Sequence, residues 1–193
     1  MSKVFLDCGA NSGQSYDWFM ENKGSDEWDV HCFEPSPEFV SSLSSKPMTY
    51  HQKAVWIEDG KDTFYVRGGL SSTLYKNKQD NIKKQPQEVE VDTIDFSQFI
   101  MDNFNKDDYI ILKMDIEGGE YKVIDKMLED KTFEYIDEFY VEFHGAKIQD
   151  LYPYFDEVYE REGVDAKTYQ LQEIDKYNLK ICEVYPYKTW VRF

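Results

Sequence analysis

A chain of 193 residues can bury one substantial core, and its 41% hydrophobic and 17% aromatic content excludes a disordered polymer. A formal net charge of −16 sets the surface against phosphate backbones and anionic lipid, so no nucleic-acid or membrane partner is expected, and a neutral or cationic small molecule is. No apolar run is long enough to span a bilayer and no secretory leader is visible, so the expectation is a single cytoplasmic domain over residues 1–193.

Strand and helix patterns alternate from the first residues, which argues for a largely parallel sheet. A first strand is predicted over Lys3 to Asp7, then a glycine-rich turn to Gly13 and a helix from Gln14 to Asn22. The second strand, Asp29 to Phe33, ends at Glu34-Pro35. Ser36-Pro37-Glu38 then reads as the N-cap, first-turn proline and first-turn acid of a helix running to about Ser45. A third strand is predicted over Thr49–Trp56, and two more over Asp62–Val66 and Glu88–Asp92, with a polar stretch from Gly68 to Pro86 between them. Asp95 can cap a helix reaching Asn103. Tyr109 to Met114 is the apolar run expected of a strand covered on both faces. Gly118 and Gly119 lead into a helix ending near Glu129, and a strand over Ile136–Phe143 precedes a helix from Ile148 to Glu162. Lys167–Gln172 and Leu179–Trp190 are expected to finish the sheet as antiparallel neighbours.

The turn Asp7-Cys8-Gly9-Ala10-Asn11-Ser12-Gly13 joins the first strand to the first helix. Glycine lets a backbone turn sharply and accept a close neighbour, and the carboxyl ends of strands are where open α/β sheets bind ligands. Glu34, at the end of the second strand, is placed to accept hydrogen bonds from ribose hydroxyls. The two features together point to a nucleoside-containing cofactor. A dinucleotide site would carry G-x-G-x-x-G beneath its pyrophosphate. Here the spacing is Gly9, Asn11, Gly13, and Asp7 sets a carboxylate before the turn that suits an ammonium group better than a phosphate. S-adenosylmethionine is therefore favoured. An NAD-dependent oxidoreductase and a non-catalytic nucleoside-binding domain are the competing readings.

Taken in order, DCGANSG, FEPSPE, VEVDTID and ILKMDIEGGEYKVI resemble the FkbM family of class I S-adenosylmethionine-dependent methyltransferases, over about residues 4 to 144. The resemblance implies a Rossmann-like, doubly wound α/β fold with a mostly parallel seven-stranded sheet, closed here by the antiparallel C-terminal strand. It also implies O-methylation of a sugar, a glycan hydroxyl or a similar metabolite. Carried across, Asp7, Gly9, Asn11, Gly13 and Glu34 are implied cofactor contacts, and Ala54 and Val55 lie where the adenine is held.

Lys113, Asp115 and Glu117 alternate at the end of the Tyr109–Met114 strand, which projects its extended part to one face. Glu120 follows in the first turn of the next helix, where the helix dipole favours a carboxylate. Glu142 and His144 alternate in the same way at the next strand end, so neighbouring strands would bring these groups together. Methyl transfer to a hydroxyl is an in-line displacement at a sulfonium, aided by a base. His144 is the first candidate base because an imidazole titrates near neutrality, Asp115 is the second, and Glu142 completes the catalytic set. Asp115 could instead hold the cofactor's amino group. Asp115, Glu142 and His144 also form an alternative Mg²⁺ site. Lys113 should be paired, since a lone buried ammonium is unfavourable.

Gly68 to Leu74 is a candidate lid. Lys76, Lys78, Lys83 and Lys84 read as a solvated loop. Cys8, Cys32 and Cys182 lack metal-ligand spacing, and the first two are expected as buried, reduced thiols. Tyr152, Tyr154, Phe155 and Tyr159 read as core, and His31 and His51 carry no functional expectation.

Overall fold

A computed structural model of the chain describes residues 1–68, 71–78, 85–144, 148 and 151, and the backbone of 189–192. In chain order the elements are β1 (Lys3–Cys8), α1 (Gln14–Asn22), β2 (Trp28–Phe33), α2 (Val40–Leu43), β3 (Thr49–His51), β4 (Ala54–Trp56), β5 (Gly60–Val66) and β6 (Gln87–Asp95). They continue with α3 (Phe96–Asn103), β7 (Tyr109–Met114), α4 (Glu120–Glu129), β8 (Glu138–Val141) and β9 (Thr189–Arg192). The central sheet runs β3-β2-β1-β7-β8-β9, and every described pair in it is parallel.

The apolar runs explain why β1 and β7 lie at the middle. Val4, Leu6, Cys8, Ile110, Leu112 and Met114 belong to the core shared with α3 and α4, while Phe5 and Ile111 belong to the core beneath α1. Such two-sided burial needs consecutive hydrophobic residues rather than alternation. Truncating the fully buried Leu112 to alanine should cost about 2–5 kcal/mol. On the other face Phe5 stacks on Phe19 of α1, with ring centroids 4.0 Å apart. The β1–β7 register pairs Asp7 with Lys113 and Cys8 with Met114, so the two strands end level and their following loops emerge side by side.

Three expectations about elements are corrected. The single strand over Thr49–Trp56 is two: β3 joins the central sheet, whereas β4 pairs with β6 in a separate three-stranded sheet, order β4-β6-β5. The burial pattern carries the reason, since Thr49 to His51 are exposed or half-buried but Ala54, Val55 and Trp56 are all buried. The Ser36-capped helix is a 3₁₀ turn over Pro37–Phe39 followed by the short α2. The closing strand expected to be antiparallel is, over Thr189–Arg192, parallel to β8. A parallel neighbour needs a crossover of a dozen or more residues, and the stretch from 142 to 188 is long enough. The central sheet has six described strands against the seven expected. The expected helix beyond Leu151, the Lys167–Gln172 strand, Cys182 and the aromatics from Tyr152 to Tyr159 lie outside the described residues. No helix among the described residues is long and apolar enough to cross a membrane.

Candidate functional site

A cleft of about 430 Å³ opens where β1, β2, β7 and β8 end. Its first wall is the glycine turn. Gly9 has φ 82°, and a Cβ there would stand 1.9 Å from the Asp115 carbonyl oxygen. The bare glycine is thus required by another loop of the same chain, not by close approach of a ligand. Every N–H of the turn is engaged internally. Gly9 and Ala10 donate to the Phe33 carbonyl at 2.9 and 3.1 Å, and Gly13 donates to the Ala10 carbonyl at 2.8 Å. Asn11 N–H donates to Glu34 Oε2 at 3.0 Å and Ser12 N–H to Asn11 Oδ1 at 2.8 Å. Asn11 takes the left-handed conformation (φ 50°) that asparagine tolerates better than most residues. Gly13, with φ 91°, caps α1 and faces Lys46 and Leu43, off the cleft wall.

Glu34 lines the cleft while nearly buried. Its Oε1 accepts the Ser36 N–H at 2.8 Å, so each oxygen has one backbone donor and retains a lone pair toward the cleft. Burial pushes the Glu34 carboxyl up to about 7, against the lowering pull of the Ser36 and Asn11 amides. Ala54 and Val55 of β4 form an apolar wall with Phe33, Phe39 and Phe64, suited to a flat ring.

Asp7, expected as a cofactor contact, is fully buried and does not reach the cleft. It pairs with Lys113, whose Nζ lies 3.2 Å from Asp7 Oδ1 and 3.6 Å from Asp115 Oδ2 and donates to the Gly9 carbonyl at 2.9 Å. Burial alone would lower this ammonium, but Asp7 and Asp115 outweigh it and hold Lys113 charged. The expected pairing of Lys113 is therefore present, and its partner is the residue expected to meet the ligand. Cys8 and Cys32 are buried free thiols, raised chiefly by burial.

The second wall gathers Asp115, Glu117, Glu142 and His144. The imidazole is buried among four carboxylates. Its Nδ1 is 3.1 Å from Glu120 Oε1; its Nε2 is 3.3 Å from Glu117, 3.5 Å from Glu142 and 3.8 Å from Asp115. Burial would depress its charge, but hydrogen bonds to Glu120 and Glu142, with the Glu117 charge, carry His144 up to about 10. An imidazolium donates rather than accepts a proton, and the carboxylates of Asp115 and Glu142 line the cleft beside His144 as the other expected bases. Burial raises the Asp115 carboxyl, opposed by Lys113 and His144.

The residue that sequence reasoning assigned to a solvated loop is part of this wall. Lys78 is buried, forms an ion pair with Glu117 and donates to the Ser71 carbonyl at 3.2 Å. Thr73 Oγ1 also donates to the Glu117 carbonyl. These bonds hold the 71–78 strap over the cleft, which Ser71, Ser72 and Leu74 line. Gly69 and Leu70 of the expected lid, and Lys83 and Lys84, lie outside the described residues. Ligand-type atoms of Asp115, Glu117 and His144 come within 4.8 Å of one another, a different trio from the expected Asp115, Glu142 and His144. Lys78 on Glu117 and Lys113 on Asp115 already supply countercharge to two of them. His31 and His51 stack on each other, Nδ1 to Nε2 2.9 Å, off the cleft wall.

A sequence profile of the methyltransferase FkbM domain matches residues 7–171. Among solved structures the chain is similar to methyltransferase FkbM from Methylobacillus flagellatus KT, at 17% identity and a TM-score of 0.40, over 67% of this chain. The match spans 30% of that protein's length. No curated protein shows a sequence match to the chain.

Proposed function

The chain belongs to the FkbM methyltransferase family, and from that premise we propose that it is an S-adenosylmethionine-dependent O-methyltransferase acting on a hydroxyl of a carbohydrate or similar small metabolite. The observation that carries the choice of cofactor is the internally satisfied glycine turn. A pyrophosphate rests on N–H groups of both the glycine turn and the helix start; here each N–H of the turn, from Gly9 to Gly13, is already bonded within the chain, which leaves only the first-turn amides of α1 from Gln14 onward. A nucleoside without a pyrophosphate asks less of the turn. Glu34 would accept from its ribose hydroxyls, and Ala54 and Val55 would flank its base. NAD is correspondingly disfavoured.

The cofactor supplies a methyl group on an already electrophilic sulfonium. The chain's part is to position the acceptor, worth up to roughly 7–11 kcal/mol in favourable cases, and to take up its proton. Such a donor would yield its methyl group to the acceptor oxygen and keep the bonding electron pair on sulfur, while the cleft residues hold the acceptor in line with it. The hydroxyl proton passes to Asp115 or Glu142, the carboxylates at the cleft mouth. Burial raises the Asp115 carboxyl, opposed by Lys113 and His144, and the group lines the cleft. Mg²⁺ has no role in this reading, because Lys78, Lys113 and His144 already supply countercharge to Asp115 and Glu117. The net charge of −16 supports a small-molecule acceptor rather than nucleic acid or a membrane surface. We take the chain as one domain acting in the cytoplasm.

Calorimetry with S-adenosylmethionine, S-adenosylhomocysteine and NAD tests the cofactor. Binding of both sulfur nucleosides without NAD is expected; binding of NAD alone would replace this reading with the oxidoreductase. An acceptor panel of neutral sugars and polyols, run with and without Mg²⁺, then tests the acceptor class.

A further inference from the structure

Glu120 is fully buried and off the cleft wall, yet its carboxylate meets three donors. Oε1 accepts the Ile116 N–H at 3.0 Å and faces His144 Nδ1 at 3.1 Å, while Oε2 accepts the Gly118 N–H at 2.9 Å. The turn so gripped is an unfavourable one. Glu117 is a non-glycine residue at φ 57°, followed by Gly118 at φ 118°, and such backbone persists only where its surroundings over-determine it. This turn presents Asp115 and Glu117 to the cleft. The helix that follows has Gly119 at its N-cap and no side-chain cap, so the Glu120 carboxylate serves the turn rather than closing the helix end as a cap residue would.

We propose that Glu120 is the positioning residue of the transfer site: one buried carboxylate fixes both the turn that carries Asp115 and the His144 imidazole that faces it. The inference rests on the methyltransferase reading for its consequence, though its geometry stands without it. With Nδ1–H tied to Glu120, His144 has one orientation, and its Nε2–H is directed among Glu117, Glu142 and Asp115. His144 then serves as a fixed cationic donor at the acceptor oxygen or its base, and the proton goes to a carboxylate. The charged groups around the imidazole are Glu120 from α4, Asp115 and Glu117 from the turn, and Glu142 from its own strand end, with Lys78 reaching it only through Glu117.

The chain has three histidines, which makes imidazole NMR a direct readout. In the wild-type protein one ring should remain protonated beyond pH 8. In Glu120→Gln the same ring should titrate lower by about one pH unit or more, the size expected for losing one opposite charge in contact. The Ile116 and Gly118 amides should exchange faster in the same variant. With any acceptor that the wild type methylates, kcat should fall roughly 10²-fold with a much smaller change in KM, as for a misplaced catalytic group. An unmoved histidine titration in folded Glu120→Gln, or an unchanged kcat, overturns the proposal. Glu120→Asp keeps the charge and should hold the ring protonated beyond pH 8; a ring that loses its proton below pH 8 there counts against the proposal equally, and this variant decides if the glutamine one does not fold. Wild-type S-adenosylmethionine binding, measured on the same samples, tests the methyltransferase reading alone, so the two failures are distinguishable.

Discussion

At the β1–β2 end of the cleft the polar groups are satisfied by backbone amides, whereas at the β7–β8 end they are satisfied by charges on other side chains. Glu34 is held by N–H groups 2 and 23 residues away, which are fixed once the strand and the turn have formed. Asp115, Glu117 and Glu142 depend instead on Lys113, Lys78 and His144, through contacts spanning up to 39 residues and two loops. Backbone amides do not titrate and cannot be removed by a side-chain change, so the first end is a preformed binding surface. The second end is a network in which each partner's state depends on the others. The division suits the transfer proposed above: a cofactor placed by groups of fixed position, and an acceptor whose proton must move.

The largest expected effect lies at the charged end. Asp115→Asn should lower the transfer rate by about 10²–10⁴-fold, the usual contribution of a general base, while cofactor affinity changes far less. Equal losses in both would erase the contrast between the two ends. Lys78→Met comes next. It strands Glu117 beside the cleft without its ammonium, and breaking a buried ion pair in this way destabilises by about 3–5 kcal/mol. Part of that should be recovered in Lys78→Met/Glu117→Gln, because the second change removes the uncompensated charge; denaturant unfolding of the two variants gives the comparison. If the single variant unfolds like the wild type, the strap is not held by this pair.

The difference between the two ends also explains what was legible in the sequence. The first end is local: an acid-tipped strand, a turn with Asn11 between glycines and an N-capping Ser36 are each readable within a few residues, and all fall beside the cleft. The depth of Asp7 was not legible from its position in the chain. Only the β1–β7 register, which sets Lys113 against it, shows that it lies behind the wall. At the second end the alternation of Asp115 with Glu117 and of Glu142 with His144 was visible, and the parallel β7–β8 pair does bring them together. Their protonation was not visible. A histidine's ordinary pKa gives no hint that four carboxylates will surround it, and nothing in a run of lysines singles out Lys78 for burial. The splitting of Thr49–Trp56 between two sheets was hidden for the same reason, since which sheet receives β4 is decided by β6, some forty residues later.

The smallest effect should come from the β1–β2 end, and it carries a pH signature. With Glu34 holding the ribose as proposed, Glu34→Gln removes one acceptor from it, and a hydrogen bond to a charged group is worth about 1.5–3 kcal/mol, so affinity for S-adenosylmethionine should fall roughly 10- to 100-fold. In the wild type the Glu34 carboxyl is held up to about 7 by burial, whereas the exposed group titrates at 4.5. The folded protein therefore keeps a proton that the unfolded chain has released, and Glu34 makes stability fall as pH rises from about 4.5 to 7. Ribose hydroxyls favour the ionised form, so they should expel that proton, and binding should tighten as pH rises through about 7. Two slopes of opposite sign are thus expected from one residue: weaker stability of the free protein and stronger cofactor binding. Unfolding and calorimetry at pH 5.5 and 8 measure both, and Glu34→Gln should flatten both together. If binding keeps its pH dependence in that variant, the dependence belongs to the β7–β8 end, and the proposed contact between Glu34 and the ribose fails.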